Sequence, residues 1–311
     1  MTEPKPKRLA FSRGQALILL GFMPLFFSSN IIFGRAAVDE VAPFTIAFLR
    51  WSLTASVLLL FVAPTLREHA RLIRHEWRLL TALGFLGMFV CGGVFYLALK
   101  YTTATNGTLI YTSSPVLIIV LEALFRNRRV GVQEAAGVAI AIVGVAYIVF
   151  RGSWAQVAGL DLSLGDAIAV LCAVSWALYS VILKSDRLAP LQTFPLFALV
   201  ALAGSVLLLP FMAAELATGG GFPASVTAWG QVVGIVIVAS LLAFSAYQIG
   251  VAIVGPSTTG IFLYLLPVYG VSLAVVFLGE RLSAYHLWGI GFVLGGVILA
   301  TWPRRAKPVP V

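Results

Sequence analysis

The sequence predicts an all-α integral membrane protein with ten transmembrane helices. They form two inverted five-helix repeats, and both termini lie in the cytoplasm. Three observations predict it. Of the 311 residues, 60% are hydrophobic and only 11% charged, with a mean hydropathy of +1.00. A soluble domain carries roughly a quarter charged residues and could not cover its surface with so few. Apolar runs of about twenty residues, the length that crosses a hydrocarbon core about 30 Å thick, recur with charges between them. Finally, the second half of the chain repeats the first.

The first run, Ala16–Phe33, leads straight into Gly34, Arg35, Asp39 and Glu40. No small-residue cleavage site marks its end, so it reads as a retained span and not a signal peptide. Pro43–Pro64, Leu79–Leu99, Ala104–Phe125 and Val132–Phe150 complete the first set. The second set is Leu164–Leu183, Leu191–Ala213, Trp229–Ile249, Pro256–Gly279 and Ala284–Trp302. Runs of this length without two-residue alternation are helices and not barrel strands. The expected layout is a cytoplasmic tail (1–15), a first repeat (16–150), an external linker (151–163), a second repeat (164–302) and a cytoplasmic tail (303–311).

The net charge of +9 reports orientation. With the N-terminus inside, Lys5, Lys7, Arg8, Arg13, Arg67, Arg71, Arg74, Arg78, Arg126, Arg128, Arg129, Lys184, Arg187, Arg304, Arg305 and Lys307 all fall on the cytoplasmic side. Outside fall Arg35, Lys100, Arg151 and Arg281, and Arg50 lies within a span. That bias is what the positive-inside rule predicts for an N-in, C-in chain. A nucleic-acid partner is not needed to explain it. Cys91 and Cys172 lie within spans and read as packing residues, and His69, His75 and His286 sit near loops. No metal spacing exists. Gly92-Gly93 and Gly219–Gly221 lack the Lys-Ser/Thr of a phosphate loop. Neither metal nor other cofactor is expected.

The repeat shows first in SVLLL, found at Ser56–Leu60 and again 149 residues later at Ser205–Leu209. The same shift lays Phe27–Asn30 on Trp176–Tyr179. Further on the offset becomes 152, setting Pro115 on Pro267, Arg129 on Arg281, Gly137 on Gly289 and Gly144 on Gly296. Five spans per half is an odd number, so the second copy starts on the opposite side and is inverted. The two SVLLL copies should therefore run antiparallel. Inverted repeats place a solute site between the halves, with alternating access by rocking one against the other.

The starts of the halves (FFSSNIIF and SWALYSVILK), the proline-bearing YTSSPVLIIVLEALF and LYLLPVYGVSLAVVFLGERL, and the glycine-spaced fifth and tenth spans resemble the drug/metabolite transporter superfamily, in its EamA-type branch. The resemblance runs from Gln15 to Trp302. Within the branch, FYLALKYTTATNGTLIYTSSP and FSAYQIGV are similar to aromatic amino acid exporters of the YddG type. It implies export of amino acids, aromatic ones preferred, and of related amphipathic metabolites; the direction comes from the resemblance alone. Two features depart from the family pattern. Leu278-Gly279-Glu280-Arg281 is answered in the first half by Arg126-Asn127-Arg128-Arg129, and Phe27 stands where a tryptophan is usual.

A carrier for an amphipathic solute needs aromatic walls and a few polar groups to orient it. Trp176 and Tyr179 share a helix face, as do Phe26 and Asn30. Tyr96, Tyr111, Tyr247 with Gln248, and Tyr264 lie within spans. For each, cavity lining stands against helix packing, whereas Trp229 and Trp302 at span ends are interfacial-belt candidates. Pro115 and Pro267 are hinge candidates, with a static kink as the alternative. Arg50 can meet a substrate carboxylate, snorkel outward, or pair with Asp39 or Glu40. Glu122 is expected to pair with Arg126 four residues on. The glycines of the fifth and tenth spans, with Gly291 and Gly295 in a G-x-x-x-G, are expected to pack each half, and could also serve a homodimer, though a monomer suffices. No catalytic constellation stands at membrane depth, which argues against an enzyme. A scaffold subunit, or a carrier of drug-like cations, nucleotide sugars or nucleobases, are the rival readings.

Overall fold

The computed structural model describes residues 11–37, 40–98, 101, 110, 113–150, 152–153, 164–278 and 284–302. Helical stretches overlie each of the ten apolar runs. They are α1 (Arg13–Ala37), α2 (Pro43–Glu68), α3 (Trp77–Ala98), α4 (Ser114–Arg126) and α5 (Val132–Val149) in the first half. In the second they are α6 (Leu164–Leu183), α7 (Thr193–Ala217), α8 (Val226–Val254), α9 (256–278) and α10 (Ala284–Thr301). No strand occurs among the described residues. Of these helices α2, α3, α6, α7 and α8 are long and apolar enough to cross a membrane.

The helix ends show how distant segments hold one another. Ser12 and Gln15 open α1 reciprocally, each side chain accepting the other's backbone N–H. Helix α2 begins at Ala42-Pro43, where the residue before the helix has no side-chain acceptor. The Glu215 carboxylate in the last turn of α7 takes that role, accepting from the Phe44 and Thr45 N–H groups at 3.0 and 2.8 Å. The start of α2 thus lies against the end of α7, and the two SVLLL copies run antiparallel. Ser225 caps α8 through the Ala228 N–H, and Glu40 accepts from the Ala224 and Ser225 N–H groups and the Ser225 hydroxyl. Those bonds hold the Glu40 carboxyl below its ordinary pKa of 4.5.

Beyond the far end of α8, Glu122 of α4 accepts from the Ser257 N–H and hydroxyl at the start of α9 and lies 3.6 Å from Arg128. Arg126 donates to the Lys184 carbonyl at the end of α6, and Lys184 Nζ to the Ala252 carbonyl near the end of α8. The expected Glu122–Arg126 pair is therefore replaced by tertiary partners. Each group serves a helix terminus whose dipole matches its charge. Burial first and Arg126 second lower the Lys184 pKa.

The main helix pairs map onto one another when the halves are exchanged. Helix α2 lies on α7, α5 on α10 and α4 on α9, while α1 meets α8 as α6 meets α3. Likewise α1 meets α9 as α6 meets α4. The glycines of α5 and α10 correct the expectation that they pack each half. A Cβ on Gly137 would stand 2.5 Å from the Ala300 nitrogen, and one on Gly296 2.5 Å from the Ala141 nitrogen. Both helices of this seam need glycine because backbone meets backbone across the halves. Gly291 and Gly295 face open space instead.

Two helices widen internally. Phe85–Val94 of α3 and Ile235–Leu242 of α8 are π-helical, with bonds spanning five residues. At the end of the first, the Phe95 N–H bonds the Gly92 and Val90 carbonyls and passes over that of Cys91. At the end of the second, the Ala243 N–H bonds Ser240 and Val238 and passes over Ala239.

Candidate functional site

Helices α1, α2, α6, α7 and α8 bring one ring cluster together. Trp176 is its hub, with ring centroids 4.8 Å from Tyr247, 5.3 Å from Tyr179, 5.6 Å from Phe244 and 6.0 Å from Phe27. Phe244 also meets Trp51 at 4.7 Å and Phe197 at 5.9 Å. Most contacts are edge-on or tilted, the arrangement favoured by the ring quadrupole. Tyr247 is tied to the Ser180 hydroxyl. Tyr179 and Tyr247 are fully buried, and Gly87 lets α3 approach, since a Cβ there would stand 2.7 Å from the Tyr179 ring.

Beside the rings lies a polar cluster. Arg50 is 5% exposed. Its Nε donates to Ser240 Oγ at 2.7 Å and its Nη2 to the Ala239 carbonyl at 2.9 Å. Nη1 reaches Tyr96 Oη at 3.5 Å, and that phenol donates to Asn30 Oδ1 at 2.9 Å. The guanidinium carbon stands 4.5 Å from the centroid of Trp51 and 5.5 Å from that of Phe244. Arg50 thus turns inward along α8. It neither snorkels nor pairs with Glu40, which is engaged at the start of α8; Asp39 lies outside the described residues.

Of the residues singled out in the sequence, the structure brings Asn30, Tyr96, Arg50, Trp176, Tyr179 and Tyr247 to this place. Phe26 is half-buried on α1, and its neighbour Phe27 makes the ring contacts instead. Adjacent helical residues point about 100° apart, so only one of the two can face the cluster. Gln248, 2% exposed, and Tyr264, fully buried, hold polar atoms without a hydrogen-bond partner: both amide atoms of Gln248 and the phenol of Tyr264. The Tyr179 phenol is likewise unpartnered. Such groups cost about 1–3 kcal/mol each when buried alone. Tyr111 lies outside the described residues, as do Glu280 and Arg281.

Pro115 lies in the first turn of α4 as described, where a missing N–H breaks no intrahelical bond. Pro267 follows a 3₁₀ turn, Phe262–Leu265, in which the Leu266 N–H takes the Leu263 carbonyl that a residue at 267 would otherwise have bonded. Sequence reasoning missed Phe27, Trp51, Phe244 and Ser240. The 149-residue register held a signal for three of them, since it pairs Phe27 with Trp176, Phe244 with Phe95 and Ser240 with Cys91.

An open depression of about 550 Å³ lies away from the rings, floored by Leu79, Val181 and Ile182 and rimmed by Arg126, Asp186 and Arg187. No group of three or more His, Cys, Asp or Glu side chains able to hold a metal exists among the described residues.

The model of the EamA-like transporter family matches residues 14–150 and again 163–302. Uncharacterized transporter YyaM of Bacillus subtilis is 27% identical over 290 residues, covering 92% of each chain. Uncharacterized transporter YetK of the same organism is 25% identical, over 89% of this chain and 84% of that one. The uncharacterized inner membrane transporter YicL of Salmonella typhimurium is 24% identical over 68% of this chain and 69% of its own. One solved crystal structure superposes with a TM-score of 0.75 over 93% of this chain and 97% of that one. Its 23% identity speaks for the fold alone.

Proposed function

The chain belongs to the EamA-like transporter family and is a multi-pass membrane transporter, and from that premise we propose that it exports amino acids, aromatic ones preferred, and related amphipathic metabolites across a bacterial inner membrane. One observation carries the solute class: a wall of edge-on and tilted rings centred on Trp176 adjoins a buried guanidinium, Arg50, and the Tyr96–Asn30 pair. A ring can stack on the wall while a polar end meets the cluster. YicL, by its name an inner membrane transporter, supports the location.

In this proposal the halves are inverted repeats and access alternates between them. Support comes from the main helix pairs, which map onto one another when the halves are exchanged, and from helix ends that meet in two groups. The starts of α2 and α8 join the end of α7, and the ends of α4, α6 and α8 join the start of α9. The glycine seam between α5 and α10 stays fixed while α1, α3, α6 and α8 rearrange around the rings. Pro115 and Pro267 mark where α4 and α9 flex, and the unpartnered groups of Gln248, Tyr179 and Tyr264 gain partners in the solute-bound or opposite-facing state. Tyr111 joins the lining on α4.

The test is flux of labelled amino acids in proteoliposomes. Phenylalanine, tyrosine and tryptophan should move faster than through protein-free liposomes, with charged amino acids well behind. Equal flux with and without protein for every aromatic and neutral amino acid overturns the reading. Varying pH and sodium gradients in the same assay distinguishes coupled from facilitated movement.

A further inference from the structure

We propose that the Arg50 guanidinium is the binding group for a carboxylate on the transported solute, and that Ala239 and Ser240 occupy its carboxylate-facing edge in the solute-free state. This rests on the ring cluster being the transport site. Nε and Nη2 form the edge of a guanidinium that takes a carboxylate bidentately. Here two oxygens from consecutive residues sit on that edge, Ser240 Oγ at 2.7 Å and the Ala239 carbonyl at 2.9 Å. They stand where the two oxygens of a carboxylate would. Both are neutral acceptors, and a carboxylate in their place forms charge-assisted bonds about twice as strong.

The π-helical stretch makes this arrangement exchangeable. The Ala239 carbonyl points to Arg50 because the Ala243 N–H, its partner in an ordinary α-helix, bonds Ser240 and Val238 instead. Ser240 Oγ is set by its own bond to the Ile235 carbonyl, five residues back. Return of Ile235–Leu242 to α-helical bonding takes the Ala239 carbonyl into the helix and rotates Ser240 from the guanidinium. The edge then opens to solute. A carboxylate docked there has Trp51 and Phe244 beside it and the Trp176 rings beyond. A neighbouring ammonium meets Asn30 Oδ1, now held by the Tyr96 phenol. The class defined is an aromatic monocarboxylate, with the amino group an accessory.

The experiment compares phenylalanine, phenylpyruvate and phenylalaninamide with the full chain in proteoliposomes, and by thermal shift in detergent. Wild type should move the two carboxylates at least about tenfold faster than the amide, and be stabilised by them alone. Arg50→Gln should cut carboxylate flux by about thirtyfold or more, to the level of the amide. Ser240→Ala, which removes one competing oxygen, should lower the half-saturation for phenylalanine severalfold and leave the amide unchanged. Equal handling of amide and acid by wild type overturns the proposal, as does a retained acid preference in Arg50→Gln. If Arg50→Gln does not fold, an unchanged half-saturation in Ser240→Ala overturns it. Absence of both flux and carboxylate-dependent stabilisation overturns it too. Movement of phenylpyruvate without any amino acid supports the Arg50 site while overturning amino acid export.

Discussion

The π-helical stretches of α3 and α8 stand in the same register of the two halves, with Val90 and Cys91 149 residues before Ala239 and Ser240. Each offers a backbone carbonyl to a neighbouring helix, and the guests differ. Val90 receives the Cys172 thiol from α6 at 3.5 Å, a weak donor. Ala239 receives Arg50 from α2. The carbonyl that meets the thiol still accepts the Phe95 N–H, whereas the one that meets the cation is passed over by its own helix. The difference teaches that matching sequence register between the halves does not carry matching chemistry. The first half supplies Asn30, Arg50 and Tyr96 with the rings of Phe27 and Trp51, and the second supplies Ser240 with the rings of Trp176, Tyr179, Phe244 and Tyr247.

The largest effect tests whether the two stretches serve one site. Trp176 touches both neighbourhoods, through Tyr179 over Gly87 of α3 and through Phe244 just past the π-helical stretch of α8. Trp176→Ala should abolish flux and cost about 3–5 kcal/mol of stability, read by thermal melting in detergent. Flux at the wild-type rate would separate the two regions. Next, Gly87→Val forces a side chain into the Tyr179 ring and should cost about 1–3 kcal/mol while lowering flux. The same substitution at Gly230, with open space around its Cβ position, should do neither. Cys172→Ala probes the neutral guest. Flux should stay within about twofold of wild type and stability within about 1 kcal/mol, because a buried thiol acts mostly as a small apolar group. A loss as deep as that expected for Arg50→Gln would erase the contrast.

The smallest effect concerns the cap of α8. The folded-state pKa of Glu40 lies below 4.5, so its contribution is present above that value and is lost as pH falls through the folded-state value. The melting temperature of wild type should fall more steeply than that of Glu40→Gln below about pH 4.5. Parallel profiles would show that the cap does not matter to α8.

The apolar runs were legible because membrane thickness imposes a length that few other constraints mimic. Trp176, Tyr179 and Tyr247 were legible because aromatic residues within such runs have few polar alternatives. Arg50 was visible as a buried charge, but its partners lie 189 and 190 residues away, beyond any local pattern. The π-helical stretches left no mark, since Phe85–Val94 and Ile235–Leu242 are as apolar as the α-helical turns around them. That Phe27 and not its neighbour Phe26 meets the rings is a matter of helix rotation, which only packing shows. The glycines of α5 and α10 were seen, and their partners misassigned, because sequence spacing gives a face and not what lies against it.

The cap on α2 has a consequence for how the chain is made. Its acceptor, Glu215, follows Thr45 by 170 residues. At about 5–20 residues per second, the ribosome delivers that carboxylate roughly 10–30 s after the helix it completes. During this interval the first helices are threaded into lipid with the leading turn of α2 relying on water or headgroups. Fragments ending before α7 should be preferred targets for membrane quality-control proteases, and the final clasp between early and late segments closes only when synthesis is more than two-thirds done.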